Sequence, residues 1–258
     1  NRPFPYFGVL YECKFPSAND IDESGWSYLL QDKDIEEAQN RKHQPAGIRK
    51  MGVDIARGGR NYNVAVLRTH NQAKVLKKWS EPDLVNTSDM IINLAREHGI
   101  ADTETYIDDS GVGGGVTDIL KSRQFKANPI NFGETLEKER NIQTGKAVAS
   151  EVINVRADVY AGKDGVMTWV KQGGALEPHP DWIELTRIRY RKNQRGQTVI
   201  ESKEDMRKRG VESPDVADAL ALTFAKVKNK FYHNTTLMNP ATILGGTGVK
   251  PFFPGMPG

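Results

Sequence analysis

Four aspartates in this chain sit in runs otherwise suited to burial. Asp54 lies in Gly52-Val53-Asp54-Ile55-Ala56, Asp108 in Tyr106-Ile107-Asp108-Asp109-Ser110-Gly111, and Asp215 and Asp218 in Ser213-Pro214-Asp215-Val216-Ala217-Asp218-Ala219-Leu220. The first two runs read as strands and the third as a capped helix. A charged carboxylate in such a setting costs several kcal/mol unless it is paired or metal-bound. Two of them roughly 5 Å apart repel by ~3 kcal/mol at an effective dielectric of about 20, and three or four repel by several times that. If they converge, either their pKa values rise sharply or cations sit among them, and hard carboxylate oxygens suit Mg2+ or Mn2+. The chemistry open to such a centre is metal-assisted phosphodiester hydrolysis.

Each aspartate also has a plainer reading. Asp54 could simply cap its strand end by accepting backbone N–H groups of the Gly58-Gly59 turn. Side chains alternate across a strand, so only one of Asp108 and Asp109 faces the side on which Asp54 lies, and Asp108 is the expected one. Asp215 is explained by a helix start, with Ser213 as N-cap, Pro214 at the first helical position and a carboxylate in the first turn. Asp218 has no such explanation and, three residues on, can share a helix face with Asp215. Gly111-Val112-Gly113-Gly114-Gly115 fits either a phosphate cradle before a helix or a turn that lets that helix pack closely.

The elements that must position these residues follow from periodicity. Lys50–Ala56, Asn63–Thr69 and Lys74–Trp79 read as three strands on short connections, an antiparallel meander. Thr87–His98 has helical spacing, Thr105–Asp108 reads as a buried strand, Gly115–Arg123 as a helix and Pro129–Phe132 as a short strand. A helix between two strands implies a right-handed crossover and parallel pairing. Further helices are expected at Asp34–Lys42, Ala147–Ala161 and Ser213–Lys228, with an irregular stretch from Gly162 to Pro180. Together these describe an α/β chain of RNase H-like fold, a mixed central sheet flanked by helices. Residues 1–47 read as a linker or approach segment, 48–228 as the domain, and 229–258 as a flexible C-terminal tail.

Charge is unevenly spread. The whole chain has 258 residues and a net charge of +3, only mildly in favour of a polyanionic partner. Residues 1–45 carry five Lys/Arg against eight Asp/Glu, whereas Thr186–Arg209 carries nine against three. Arg187–Arg191 and Thr198–Glu201 flank a turn and read as an added basic β-hairpin. Arg187, Arg189 and Arg191 alternate with Ile188 and Tyr190, and Lys192, Arg195 and Lys203 extend the basic set. Such a face suits sequence-independent contact with phosphates, although a solvated hairpin face is the usual fate of a charge run.

The single cysteine, Cys13, leaves no internal disulfide and fits a reducing compartment. No apolar run reaches the roughly 18 residues of a membrane span, nor does the start resemble a signal peptide; a soluble, cytoplasmic protein is expected. A start at Asn1, without a Met, reads as a fragment of something longer. The five histidines show no metal spacing, and Gly145-Lys146-Ala147 lacks the loop and hydroxyl of a P-loop. The Asp54 and Asp108 glycine turns superficially echo an actin-like ATPase, but they lie too close together in sequence for its two subdomains.

With these motifs in hand, the chain resembles the C-terminal nuclease portion of the large terminase subunit of tailed double-stranded DNA phages, from roughly Ile48 to Lys228. The likeness is carried by Val53-Asp54-Ile55-Ala56-Arg57-Gly58-Gly59, Ile107-Asp108-Asp109-Ser110-Gly111-Val112-Gly113, Glu201–Gly210 and the Asp215–Asp218 helix. That helix also resembles the one in Holliday-junction resolvases. Many relatives hold an acidic residue shortly after the first Gly-Gly, where this chain has Arg60 and Asn61. The resemblance implies a metal-dependent DNA endonuclease that cuts concatemeric viral DNA during packaging. Asp54, Asp108 and a member of the Asp215/Asp218 pair would carry two ions, Mg2+ or Mn2+, one activating water and the other stabilising the leaving 3′ oxygen. It further implies double-stranded DNA, the portal protein and the small terminase subunit as partners, in the infected host cytoplasm, with the ATPase domain outside this chain. A catalytically silent DNA- or portal-binding module is the rival expectation.

Overall fold

The computed structural model describes residues 25–56, 62–136 and 150–227. The Gly58-Gly59 turn, the start of the expected helix at Ala147 and the tail from Asn229 lie outside these residues. Residues up to Ala225 form one unit and those from Lys226 a second, of which only Lys226 and Val227 are described.

The meander is present as β2 (Lys50–Asp54), β3 (Asn63–Arg68) and β4 (Gln72–Trp79), preceded by a two-residue strand β1 (Ser27–Tyr28) and helix α1 (Asp32–Asn40). β2 pairs antiparallel with β3, and β3 with β4. Helix α2 (Leu84–Glu97) crosses over to β5 (Thr105–Asp108), which lies parallel to β2, and α3 (Gly113–Ser122) crosses to β6 (Asn128–Ile130), parallel to β5. α2 starts three residues before the expected Thr87 because Asp83 caps it, accepting from the N–H groups of Val85 and Asn86.

Beyond them come α4 (Val155–Ala161), α5 (Val166–Lys171), β7 (Ala175–Leu176), α6 (Glu184–Arg187), β8 (Arg189–Lys192), β9 (Thr198–Ile200), α7 (Lys203–Lys208) and α8 (Asp215–Leu222). The main sheet runs β6-β5-β2-β3-β4-β7, and β1-β8-β9 form a small second sheet. This is the mixed sheet flanked by helices that the sequence led one to expect, with the hairpin as its own layer.

Strand parity divides the core in two. Met51, Val53, Ala65, Leu67 and Ile107 point to one face and pack with Ile91, Leu94 and Ala95 of α2 and Val116 and Leu120 of α3. Val64, Val66 and Tyr106 point to the other and pack with α8 and with Val159 and Tyr160 of α4. A carboxylate at Asp54 or Asp108 shares parity with Tyr106 and therefore faces α8.

Several expectations need correcting. Leu29, Leu30, Ile35 and Ala38 are buried in the α8-side core, and β1 is hydrogen-bonded to β8, so the boundary drawn at residue 47 falls inside a packed unit. The expected helix 147–161 is helical only from Val155, where Asn154 caps it by accepting from Ala157 N–H at 3.0 Å. The stretch 162–180 is not irregular throughout: it contains α5 and β7. α8 stops at Leu222 rather than Lys228, because Arg68 reaches Thr223 through Nε to Oγ1 (2.7 Å) and Nη2 to the carbonyl (2.8 Å) and satisfies the helix end. Arg187 ends a helix instead of starting a strand.

Candidate metal centre

Asp54 and Asp108 are the last residues of β2 and β5, parallel neighbours in register Val53↔Ile107, so their carboxyls stand together at one end of the sheet. Asp218 arrives from α8. What brings it close is Gly52: a Cβ built there would lie 1.9 Å from the Ala219 carbonyl oxygen, so the helix backbone rests directly on the strand. Gly113 has the same use, since a Cβ there would collide with the Asp108 carbonyl. Close packing thus accounts for that glycine. All three carboxylates are buried, at 4% exposure for Asp54, 6% for Asp108 and 0% for Asp218.

The charge among them is balanced from within the chain. Lys203, at the first turn of α7, places its ammonium 2.7 Å from Asp218 Oδ2 and 3.8 Å from Asp54 Oδ1. Arg156 of α4 puts Nη1 3.0 Å from Asp218 Oδ1, and the Tyr160 hydroxyl donates to that same oxygen at 2.5 Å. Burial pushes the Asp54 carboxyl well above its ordinary value; Lys203 opposes the rise and Asp218 and Asp108 reinforce it. Burial would raise Asp218 too, but Arg156 and Lys203 outweigh it and hold that carboxyl below its ordinary value. Asp218 is therefore the fixed negative charge, while burial makes Asp54 resist ionising. Asp108 Oδ1 accepts from the Ser110 N–H at 2.9 Å.

Asp215 opens α8 at the rim of the centre, partly buried. Burial raises its carboxyl, while Ser213 lowers it by hydrogen bonding and Lys203 by charge. The expected Ser213 N-cap is absent: Pro214 occupies that position without a side-chain cap. Glu184 of α6 does the work instead, its Oε2 accepting from Val216 N–H (2.7 Å) and Ala217 N–H (3.0 Å), and its pKa is pushed up to about 8 by burial.

Among the described residues, no three acidic, His or Cys side chains are already gathered as a ligand set. Lys203 instead stands between two of the carboxylates, its ammonium meeting both Asp54 and Asp218. A position that stabilises one positive charge against two carboxylates, with hard oxygen donors, fits a divalent ion in the lysine's place. The sequence reading had grouped Lys203 with the basic hairpin; the structure puts it with the carboxylates.

The other basic residues separate by environment. Arg189 donates to both oxygens of Glu201, which is 1% exposed and is also held by Arg209. Arg191 is exposed and lies 4.5 Å over the Trp26 ring, and Lys192 donates to Thr198 Oγ1 at 2.8 Å. Arg195 is exposed at the turn and Arg187 is exposed at the end of α6. Sequence reasoning passed over Gly52, Arg156, Tyr160 and Glu184. A glycine inside a strand was a legible sign of close backbone approach, and Arg156 was a lone cation in an apolar helix.

No family model and no characterised protein sequence matches the chain. Solved structures do. The nuclease domain of the large terminase subunit of bacterial virus Sf6, with manganese and beta-thujaplicinol, superposes at TM-score 0.63 and 18% identity over 78% of this chain and 99% of that one. The chain has the phage terminase nuclease fold, which is RNase H-like. A calcium form of the Sf6 domain gives TM-score 0.62 at 17% identity, covering 78% of this chain and 100% of that one. The large terminase nuclease of thermophilic phage G20c with bound cobalt gives 0.50 at 14% identity, over 76% and 96%. At such identities the terminase nuclease fold is what is shared. No helix among the described residues is long and apolar enough to cross a membrane.

Proposed function

We propose that this domain is a divalent-metal-dependent endonuclease that cuts double-stranded viral DNA during genome packaging. The observation that carries the reading is the meeting of Asp54 and Asp218, from β2 and α8, at one cationic side chain, Lys203, with Asp108 at the end of the neighbouring strand β5. The terminase nuclease fold, seen with manganese and calcium in the Sf6 domain, supports the same reading.

Asp54, Asp218 and Asp108 would hold the metal, Mg2+ or Mn2+, as a pair of ions, with Asp215 at the rim. Ions bound there would activate water for attack and stabilise the departing 3′ oxygen. The chain's own residues do the rest. Asp218 stays ionised under Arg156 and Lys203, and the Gly52 contact fixes its distance from β2. Lys203, beside Asp54 and Asp218, would supply positive charge at the centre. Arg191, Arg195, Arg187 and Lys192 would track the DNA backbone, while Arg189 serves mainly to anchor Glu201. The domain would run from β1 through α8, with residues 229–258, the portal protein and the small terminase subunit as its links to the packaging machinery in the host cytoplasm.

Plasmid cleavage by the purified chain in EDTA, Mg2+ or Mn2+, beside Asp54→Asn and Asp218→Asn proteins of confirmed folding, tests this. Metal-dependent nicking lost in both variants is expected. No cleavage with any metal, while DNA binding persists, would instead favour a silent DNA-binding module.

A further inference from the structure

Asp218 differs from the other two buried aspartates in how completely one of its oxygens is occupied. Oδ1 accepts the Tyr160 hydroxyl at 2.5 Å and is ion-paired with Arg156 Nη1 at 3.0 Å, whereas Oδ2 meets the Lys203 ammonium at 2.7 Å. Both donors come from one helix, α4, four residues apart and so on one face. Tyr160 is fully buried. The Arg156 guanidinium lies 5.4 Å from the Phe132 ring centroid and 5.2 Å from that of Tyr160, and its Nε and Nη2 are buried without a hydrogen-bond partner among the described residues. A guanidinium that leaves two buried donors unmatched is being used for something other than maximal hydrogen bonding. What it gains is a fixed direction toward Asp218.

We propose that α4 is the orienting element of the centre: Tyr160 and Arg156 together hold Asp218 Oδ1, so that Asp218 offers a cation Oδ2 alone. This rests on the nuclease reading above and deepens it by naming two positioning residues. With Oδ1 held by the Tyr160 hydroxyl and by the Arg156 charge, Asp218 would present Oδ2 to the cation position. Hydrogen bonding to the oxygen that faces away from the ion is the usual means by which an outer shell fixes a ligating carboxylate. Neither α4 contact involves Oδ2, so the alignment of Asp218 would not depend on which cation faces that oxygen.

The test uses the whole chain and Mn2+ as probe. Tyr160→Phe removes one donor without changing shape, and Arg156→Lys keeps the charge while removing the planar guanidinium. In both, the electron paramagnetic resonance spectrum of bound Mn2+ is expected to change and kcat at saturating Mn2+ to fall about tenfold or more, measured below the melting temperature of each variant. A spectrum unchanged in stably folded variants overturns the proposal, whether or not kcat falls with stability. Should the substitutions prevent folding, a crystal structure of the Mn2+-bound wild-type chain decides, and both Asp218 oxygens on the ion overturn it. If the wild-type chain neither binds Mn2+ nor cleaves DNA, the nuclease reading itself fails; if it does both and the variants match it, only the α4 proposal fails.

Discussion

Replacing Gly52 by Ala should separate the two halves of the centre without touching an ionisable group. The added Cβ would fall 1.9 Å from the Ala219 carbonyl oxygen and 3.1 Å from both Ala219 C and Leu222 Cβ. Ordinary contact begins near 3.4 Å, so strand and helix must part by about 1.5 Å along that line. Neither neighbour can yield cheaply, since one is helix backbone and the strand is paired on both sides with β3 and β5. Overpacking of this kind costs about 1–3 kcal/mol. For a unit of this size that is a fall in melting temperature of about 3–10 °C. Asp218 sits one residue before the collision and moves with the helix, and a misplacement of about 1 Å can cost on the order of 100-fold in rate. The assay is Mn2+-dependent plasmid cleavage well below the melting temperature, beside circular dichroism melts. Gly114→Ala is the control, because a Cβ there meets nothing nearer than Asp109 Oδ1 at 3.8 Å. If Gly52→Ala melted and cleaved like the parent, α8 could not be resting on the β2 backbone as described.

Lys203→Ala should leave Asp54 without its counter-charge and Asp218 with Arg156 alone, lowering stability in EDTA by about 2 kcal/mol, with Mn2+ restoring most of it; a melt indifferent to metal would argue against the lysine as the internal counter-charge. The pH dependence of Glu184 has a definite sign. Its pKa is raised to about 8, so its contribution to stability is full below its ordinary carboxyl pKa and is lost as pH rises through about 8. Against Glu184→Gln, the parent should therefore lose relative stability between pH 5 and 9, by about 2 kcal/mol once the screening of a partly exposed carboxyl is allowed for; a constant difference across that range would refute the assignment. Arg191→Ala and Arg195→Ala should each weaken DNA binding uniformly across sequences and reduce the salt slope by about one. Arg189→Ala should show itself first in the melting temperature, because it strips a partner from buried Glu201.

The carboxylates were legible because they break simple patterns. Asp54 and Asp108 end strands whose parity fixes their common face, and Asp218 interrupts a helix that is otherwise all apolar. Lys203 was not, since in sequence it is one cation of nine between Thr186 and Arg209, and only the chain's path from β9 into α7 tells it from Lys208, which is exposed. Glu184 caps a helix that begins 31 residues later, beyond any local capping signal. α5 and β7 are six and two residues long, too short for a periodic pattern to emerge from glycine-rich surroundings. The N-terminal segment misled through composition: its acidic residues suggested a solvated linker and masked the apolar Leu29, Leu30, Ile35 and Ala38, which are buried.

The pairing of β1 with β8 also sets an order in time. Ser27 is hydrogen-bonded opposite Tyr190, 163 residues further along the chain, and Asp54 waits for Asp218 across a comparable span of 164. At synthesis rates of about 5–20 residues per second, Leu29 and Leu30 spend on the order of 8–30 s without the strand beside them. The main-sheet meander can close early, from local contacts, but the clasp of the small sheet and the carboxylate centre both need the last third of the described chain. Nascent forms would therefore hold the meander without the carboxylate cluster, which is complete only once α8 docks.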